Sequence, residues 1–248
     1  MHPALKFVEH RPWTLPKGPW IMAQNWHDLL FAHWEVPVEK MREQVPRGLE
    51  IDTFRGQAWI GVVPFRMSGV RLRGTPAVPG LSAFPELNVR TYVTAGGKPG
   101  VWFFSLDAAN RIAVEAARAW FHLPYFSARM TSEAGGDEIR YVSKRTDRRG
   151  HGESLHVKYG ACGNSGNAKS GTLEHFLTER YCLYAERLDG TLLRGEIHHG
   201  PWTLQTARAE FGENTMTTAL GLELSGEPVL HFSKLQAVVV WPPRTVRT

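Results

Sequence analysis

The chain has 248 residues, 42% hydrophobic and 21% charged, which suits one β-rich domain with a packed core and excludes an intrinsically disordered chain. Its 29 Lys and Arg outweigh 24 Asp and Glu, a formal charge of +5, yet the densest basic cluster, Lys144-Arg145-Thr146-Asp147-Arg148-Arg149, is broken by an aspartate and reads as a solvated turn. No nucleic-acid partner is therefore expected.

Cys162 and Cys182 lack CxxC spacing and fit free thiols in a reducing compartment, with a single disulfide as the alternative. The N-terminus is too polar for the apolar core of a signal peptide, and no run reaches the roughly 20 apolar residues of a membrane span. A soluble cytoplasmic protein with no membrane partner is expected.

Residues 1–20 carry Pro3, Pro12, Pro16 and Pro19 among aromatics and read as an extended arm on the surface. Over 21–35 helical and strand spacings compete. Leu30, Ala32 and Trp34 alternate and Pro37 holds residue 36 extended, so a strand is expected over 28–36. A helix starts at Pro37, with Val38, Met41 and Val45 at helical spacing, and ends at Pro46 and Gly48. The apolar run from Gln57 to Met67 reads as a strand buried on both faces, in which Pro64 requires an edge or a bulge. A long loop over 68–83 precedes strands at 86–94 and 101–106, joined by a glycine- and proline-marked turn. A helix is expected over 107–121, capped by Asp107, with Ala109, Ile112, Ala113, Ala116 and Trp120 as its apolar stripe and Pro124 as its stop. Further strands are expected near 127–133, 138–146, 153–160, 191–200 and 228–241, with a short helix over 172–177 capped by Thr172. The polar stretch 162–171 lacks the residue order of a phosphate cradle and reads as a flexible connector. Residues 202–211 are open between strand and helix, and 214–222 have a helical reading. With no fixed-period repeat and no linker, residues 1–248 are read as one domain.

Metal and nucleophile motifs are missing. His198 and His199, as strand neighbours, point to opposite faces, and His151, Glu153 and His156 do not form an HExxH pattern. There is no GxSxG elbow, and Cys182, between Tyr181 and Leu183, reads as a buried structural thiol. No metal and no cofactor are expected. Glu86 and Arg90, by contrast, share one face of a strand with Asn88 between them, amid Phe84, Tyr92, Trp102, Phe103, Phe104, Trp120 and Phe121. That pattern describes either a solvated face or the polar lining of a cleft, where burial would raise the carboxyl pKa.

Three segments carry a family likeness. Val45-Pro46-Arg47-Gly48-Leu49-Glu50-Ile51-Asp52 is similar to the VPxxLEID of acetoacetate decarboxylases. Phe84-Pro85-Glu86-Leu87-Asn88-Val89-Arg90 stands where those enzymes lead into an active-site glutamate. Leu106-Asp107, Ala117-Arg118 and Leu123-Pro124-Tyr125-Phe126 are similar to their LDN…GRE…YPKK. From roughly Trp20 to Trp241 the chain resembles the acetoacetate decarboxylase superfamily, and within it the YqjF-like DUF2071 group. The resemblance implies an α+β fold, mainly antiparallel β, with a curved, cone-like β-barrel and a few flanking helices, and it allows a homo-oligomer. It also argues against Schiff-base decarboxylation. The imine-forming lysine is replaced by Tyr125, and the second lysine, which depresses its pKa, by Phe126. Ungapped spacing puts the family's substrate-binding arginine at His27 and one active-site glutamate at Trp59, while Glu86 keeps its carboxylate. Lys144, Lys158 and Lys234 lie in or beside expected strands, where lysine usually faces solvent.

The leading expectation is a binding protein for a small anionic or carbonyl-bearing organic molecule, such as a keto acid or lactone. Arg90, Arg118 and His27 would supply positive charge, Trp59 and Phe126 further contacts, and Tyr125 and Glu86 hydrogen bonds. The alternatives are a lyase, isomerase or hydratase with Tyr125 and Glu86 as its acid–base pair, and a structural protein with a vestigial pocket.

Overall fold

Runs that are apolar on both faces are covered on both sides in the folded chain. The structure, a computed structural model, describes residues 1–246. Its strands are β1 (Met22–Val36), β2 (Glu50–Ile51), β3 (Ala58–Leu72), β4 (Phe84–Ala95), β5 (Lys98–Ala108), β6 (Tyr125–Gly135), β7 (Glu138–Arg145), β8 (Ser154–Asn167), β9 (Cys182–Glu186), β10 (Leu192–His199), β11 (Thr203–Asn214), β12 (Val229–Val240) and β13 (Arg244–Thr245). They form one sheet in the order β13-β10-β9-β5-β6-β7-β8-β11-β12-β1-β3-β4-β2, and extra β4–β5 and β10–β12 pairings curve it back onto itself. β5 runs parallel to β6 and β9; the other pairings are antiparallel. Helices α1 (Val38–Gln44), α2 (Arg111–Phe121) and α3 (Leu173–Thr178) accompany the sheet.

The central strands β1, β3 and β4 divide two cores. Leu30, Ala32 and Trp34, Ile60 and Val62, and Leu87, Val89 and Val93 face the larger one, with Tyr141, Leu155, Val157 and Tyr159. Leu29, Phe31, Val63, Phe65 and Met67 face the other, with Phe84, Ala108 and Trp202. Two bulges govern which residues join the second core. The β1–β3 register slips by one between His27↔Arg66 and Ala32↔Val62, and Asp28 there takes a left-handed φ of 54°. One extra residue restarts the alternation, so Trp26 faces the same side as Leu29 and Phe31. Pro64 sits opposite this slip, the bulge its missing N–H requires. In β5 a second slip, between Val89↔Ser105 and Arg90↔Phe103, puts Phe103 and Leu106 on one face.

Several boundaries differ from the sequence reading. β5 continues through Asp107, so the cap of α2 is Asn110, whose side chain accepts from Ile112 and Ala113 N–H groups at 3.0 and 3.1 Å. The expected stripe of α2 is not its buried face. Val114 and Phe121 are buried, whereas Ile112 and Trp120 are 67% and 62% exposed. The short return to β6 orients the helix, overriding the bulk of its apolar residues. Residues 162–167 belong to β8 rather than a connector, because a backbone ladder to β11 (Thr203↔Asn167, Leu204↔Gly166) needs no apolar side chains. Of residues 214–222, expected to be helical, Asn214 ends β11 and the helical part is only a 3₁₀ turn, Thr218–Leu220. β3 also extends into the expected 68–83 loop, pairing Leu72 with Met22.

The N-terminal arm crosses β10. The buried Arg11 guanidinium donates to Ile197 O, Tyr181 O and Glu196, and Trp13 Nε1 donates to Glu196 at 2.7 Å. Arg11→Ala is expected to release the arm, raising the rate of limited proteolysis within residues 1–20 at least about tenfold, since a charge-assisted hydrogen bond contributes roughly 1.5–3 kcal/mol. An unchanged cleavage rate would show that the arm's other contacts hold it alone.

Candidate functional site

Alternation along β4 places Glu86, Asn88, Arg90 and Tyr92 on the face turned away from the larger core. β6 begins at Tyr125, set one residue past Pro124 and paired in parallel with Leu106 of β5. Arg118, one turn from the end of α2, donates from Nη1 to Tyr125 O at 2.7 Å and so ties the helix to this strand start. The Tyr125 hydroxyl then donates to Glu86 Oε2 at 3.0 Å. Glu86 is 3% exposed, and burial pushes its carboxyl up to about 8, with Asp107 adding in the same direction. Burial, then Glu86, pushes the Tyr125 phenol well above its ordinary value. Both shifts favour the protonated forms at neutral pH.

The surroundings are aromatic. Trp26 stacks on Trp202 with ring centroids 6.0 Å apart and meets Phe65 edge-on at 5.8 Å, and Trp202 meets Phe31 edge-on at 4.9 Å. Trp26 and Tyr125 both pack against the second core. The indole N–H groups of Trp26 and Trp202, and Oδ1 of Asn88, are buried without a hydrogen-bond partner. Such groups are rare because each costs roughly 1–3 kcal/mol. Tyr141 supports the site from behind, donating to the Glu86 carbonyl at 2.7 Å.

The other expected residues are placed apart from this pair. Arg90 lies on the same face, but four residues along the strand is about 13 Å. It sits over Phe31 and Tyr92 and reaches Leu177 O at 3.4 Å. Trp59 is near that far end, packed with Tyr92, Val101 and Leu177, six residues or about 20 Å along β3 from Phe65, the residue paired with Glu86. His27 points away, hydrogen-bonded to Ser68 Oγ at 2.7 Å, and the inward position is taken by Trp26. Phe126 faces opposite to Tyr125, under the Arg145 guanidinium at 4.1 Å. Arg118 donates only to the backbone of Tyr125 and lies over the Phe126 ring at 5.8 Å, on the side away from the Glu86–Tyr125 pair. Reasoning from sequence missed Trp26, Asn88 as an unpartnered acceptor, and Trp202. Trp26 stood beside the residue chosen by spacing, and only the bulge reveals the swap.

Among the described residues no three His, Cys, Asp or Glu side chains are placed to hold a metal ion. No lysine is buried among them: Lys144 is exposed, Lys158 approaches Glu210 and Lys234 binds Asp28 on the surface. No helix of the structure is long and apolar enough to cross a membrane.

Residues 23–237 match the DUF2071 family, described as "Uncharacterized conserved protein". The chain is 50% identical over 232 residues to the uncharacterized protein YqjF of Bacillus subtilis (strain 168), covering 93% of this chain and 95% of that one. Among solved structures it is similar to an acetoacetate decarboxylase from Legionella pneumophila subsp. pneumophila str. Philadelphia 1, with a TM-score of 0.65 at 12% identity over 97% of this chain and 93% of that one. It is similar to the enduracididine biosynthesis enzyme MppR complexed with pyruvate, with a TM-score of 0.64 at 12% identity over 96% and 93%. An acetoacetate decarboxylase-like enzyme from Sphingomonas wittichii RW1 gives 0.65 at 13% identity over 97% and 100%. At such identities the likeness is one of fold, and it agrees with the mainly antiparallel, curved sheet expected from the motifs. The family match, the half-identical relative and the shared architecture lead to one conclusion: the chain belongs to the DUF2071 family and has an acetoacetate decarboxylase-like fold.

Proposed function

We propose that the protein binds a small carbonyl-bearing organic molecule against the Glu86–Tyr125 pair without forming an imine. The observation that carries this reading is the part-buried 3.0 Å Tyr125–Glu86 hydrogen bond in an aromatic setting where two indole donors and one amide acceptor have no partner. A carbonyl oxygen would accept from Trp26, Trp202 or the protonated Glu86, and a ligand hydroxyl would donate to Asn88. Ligand charge follows from the same geometry. No cation contributes to the state of Glu86 or Tyr125, and the Arg90 guanidinium is engaged with Phe31, Tyr92 and Leu177 O, its backbone about 13 Å along β4. A keto-acid carboxylate held against the Glu86–Tyr125 pair would be buried without a cation beside it. A neutral, lactone-like carbonyl compound fits better than a keto acid. With Cys162 and Cys182 both free thiols, a reducing cytoplasm suits the protein.

A second reading, acid–base catalysis of lyase, isomerase or hydratase type, is supported by the Glu86 carboxyl at about 8, close to the working pH of a general acid or base. The vestigial-pocket reading draws on two depressions, of about 200 and 360 Å³, at the arm and on the β6–β7 hairpin, neither of which is lined by Glu86 or Tyr125.

A thermal-shift screen of lactones, ketones and keto acids on the wild type, Glu86→Gln and Tyr125→Phe separates these. Neutral carbonyl compounds are expected to raise the melting temperature of the wild type and to do so less in both variants. No response from any compound would leave the vestigial reading. Turnover that disappears in the variants while binding persists would put catalysis first. Borohydride treatment with acetoacetate is expected to trap no adduct by mass spectrometry, since no lysine is buried among the described residues. A stable adduct would overturn the imine-free reading.

A further inference from the structure

Far from Glu86, the N-terminal arm and the β10–β13 edge enclose a cleft of about 200 Å³ whose lining includes Lys17, Lys98, Arg194, Arg244, Glu196 and Trp241. We propose that this cleft is a binding site for a small phosphorylated molecule. The argument is one of charge balance. Glu196 is the cleft's lone carboxylate and is shared by three cations: Arg11 from behind, Lys98 Nζ at 2.8 Å, and Arg194 Nε at 3.2 Å from Oε1. Arg11, an arm residue with 1% of its side chain exposed, faces away from the cleft and balances the Glu196 charge by itself. Lys98 and Arg194, each about a quarter exposed, therefore remain in excess. Lys17 and Arg244 add two more positive charges at the rim, and Arg244 Nη2 donates to Lys17 O, which holds that edge together.

Arg194 supplies a second, independent sign. Its Nε is buried and has no hydrogen-bond partner, because the approach to Glu196 is close but poorly aligned. A guanidinium left with unused donors beside a lysine suits a phosphoryl group, which carries enough oxygens and charge to engage both cations at once. Trp241 contributes to the lining, its Nε1 engaged with Gly18 O and its ring packed with Ala4, Ala23 and Val239, so it fixes the arm beside the cleft. The volume accommodates a pyrophosphate or a phosphorylated fragment of similar size, not a nucleotide.

The test is isothermal titration of the full chain with pyrophosphate, with tricarballylate as a carboxylate of comparable charge and with sodium chloride at matched ionic strength. Saturable one-to-one binding of pyrophosphate is expected, at least tenfold tighter than tricarballylate. Lys17→Glu with Arg244→Glu, both at exposed positions, is expected to weaken it at least tenfold while the circular dichroism spectrum stays unchanged. Arg194→Gln is expected to do the same, and Tyr125→Phe to leave binding as it was. Equal affinity for tricarballylate would overturn the phosphoryl assignment. Absence of saturable binding, or full affinity in the rim double variant, would overturn the site.

Discussion

Arg145→Ala is expected to lower stability by about 3–5 kcal/mol, the range for breaking a buried ion pair from one side, and the melting temperature by about 10 °C or more. The Arg145 side chain is 4% exposed and lies between two carboxylates that are themselves 0% and 3% exposed, Asp107 and Glu153. Nη2 donates to Asp107 Oδ1 at 2.6 Å, Nε to Oδ2 at 3.0 Å, and Nη1 lies 3.0 Å from Glu153 Oε2. The flat guanidinium also covers Phe126, and a Cβ on Gly150 would collide with its stem, so the chain has made room for an arginine there. Burial pushes Asp107 up to about 6 even with Arg145 opposing it. Removing the arginine leaves two carboxyls facing each other without water. Arg145→Lys keeps the charge and loses the fork, and is expected to recover only part of the loss. Chemical denaturation at pH 7 decides the matter: a cost under about 1 kcal/mol, the range of an exposed pair, would show that solvent reaches these groups.

Glu86→Gln is expected to stabilise the protein at alkaline pH. Below the ordinary carboxyl range the folded and unfolded chains both hold the Glu86 proton, and the residue adds no pH dependence. Between about 4.5 and about 8 the unfolded chain releases the proton while the folded chain keeps it. Stability of the wild type then falls as pH rises, by up to about 1.4 kcal/mol per pH unit from this group. Asp107 adds to the same slope until about 6. Above about 8 the full cost is present. Glutamine still accepts the Tyr125 hydroxyl and has no proton to lose. At pH 9 the variant is expected to be about 2–4 kcal/mol more stable, raising the melting temperature by roughly 5–10 °C, and at pH 4 to match the wild type. Parallel pH profiles for the two proteins would mean that Glu86 ionises normally in the folded state. The same measurement bears on function, because a carboxyl protonated at neutral pH is a hydrogen-bond donor to a ligand carbonyl.

Much of the scaffold is readable from local chemistry. The hairpin over residues 95–98 follows from Gly96 and Gly97, both at positive φ. The start of α1 follows from Pro37, and its partly buried end from Val45-Pro46. The pairing of Glu86 with Tyr125, 39 residues apart, could be expected from the order of family motifs. The arginine triad, the Asn110 cap and the pinned arm could not, since each joins residues whose partners are set by strand order rather than by neighbours in the chain.

By itself, then, the sequence determined that the chain is strand-rich, which runs are buried and which fold family contains it, and by resemblance it set Tyr125 and Phe126 at the positions of the decarboxylases' two lysines. Only the tertiary structure decided which side chains look inward. Facing alternates with a period of two, so one inserted residue reverses every position beyond it. Asp28 in β1 and the slip beside Phe103 in β5 do this without a glycine or other local mark. The slip in β1 brings Trp26 rather than His27 to the second core, and the slip in β5 puts Phe103 and Leu106 on one face.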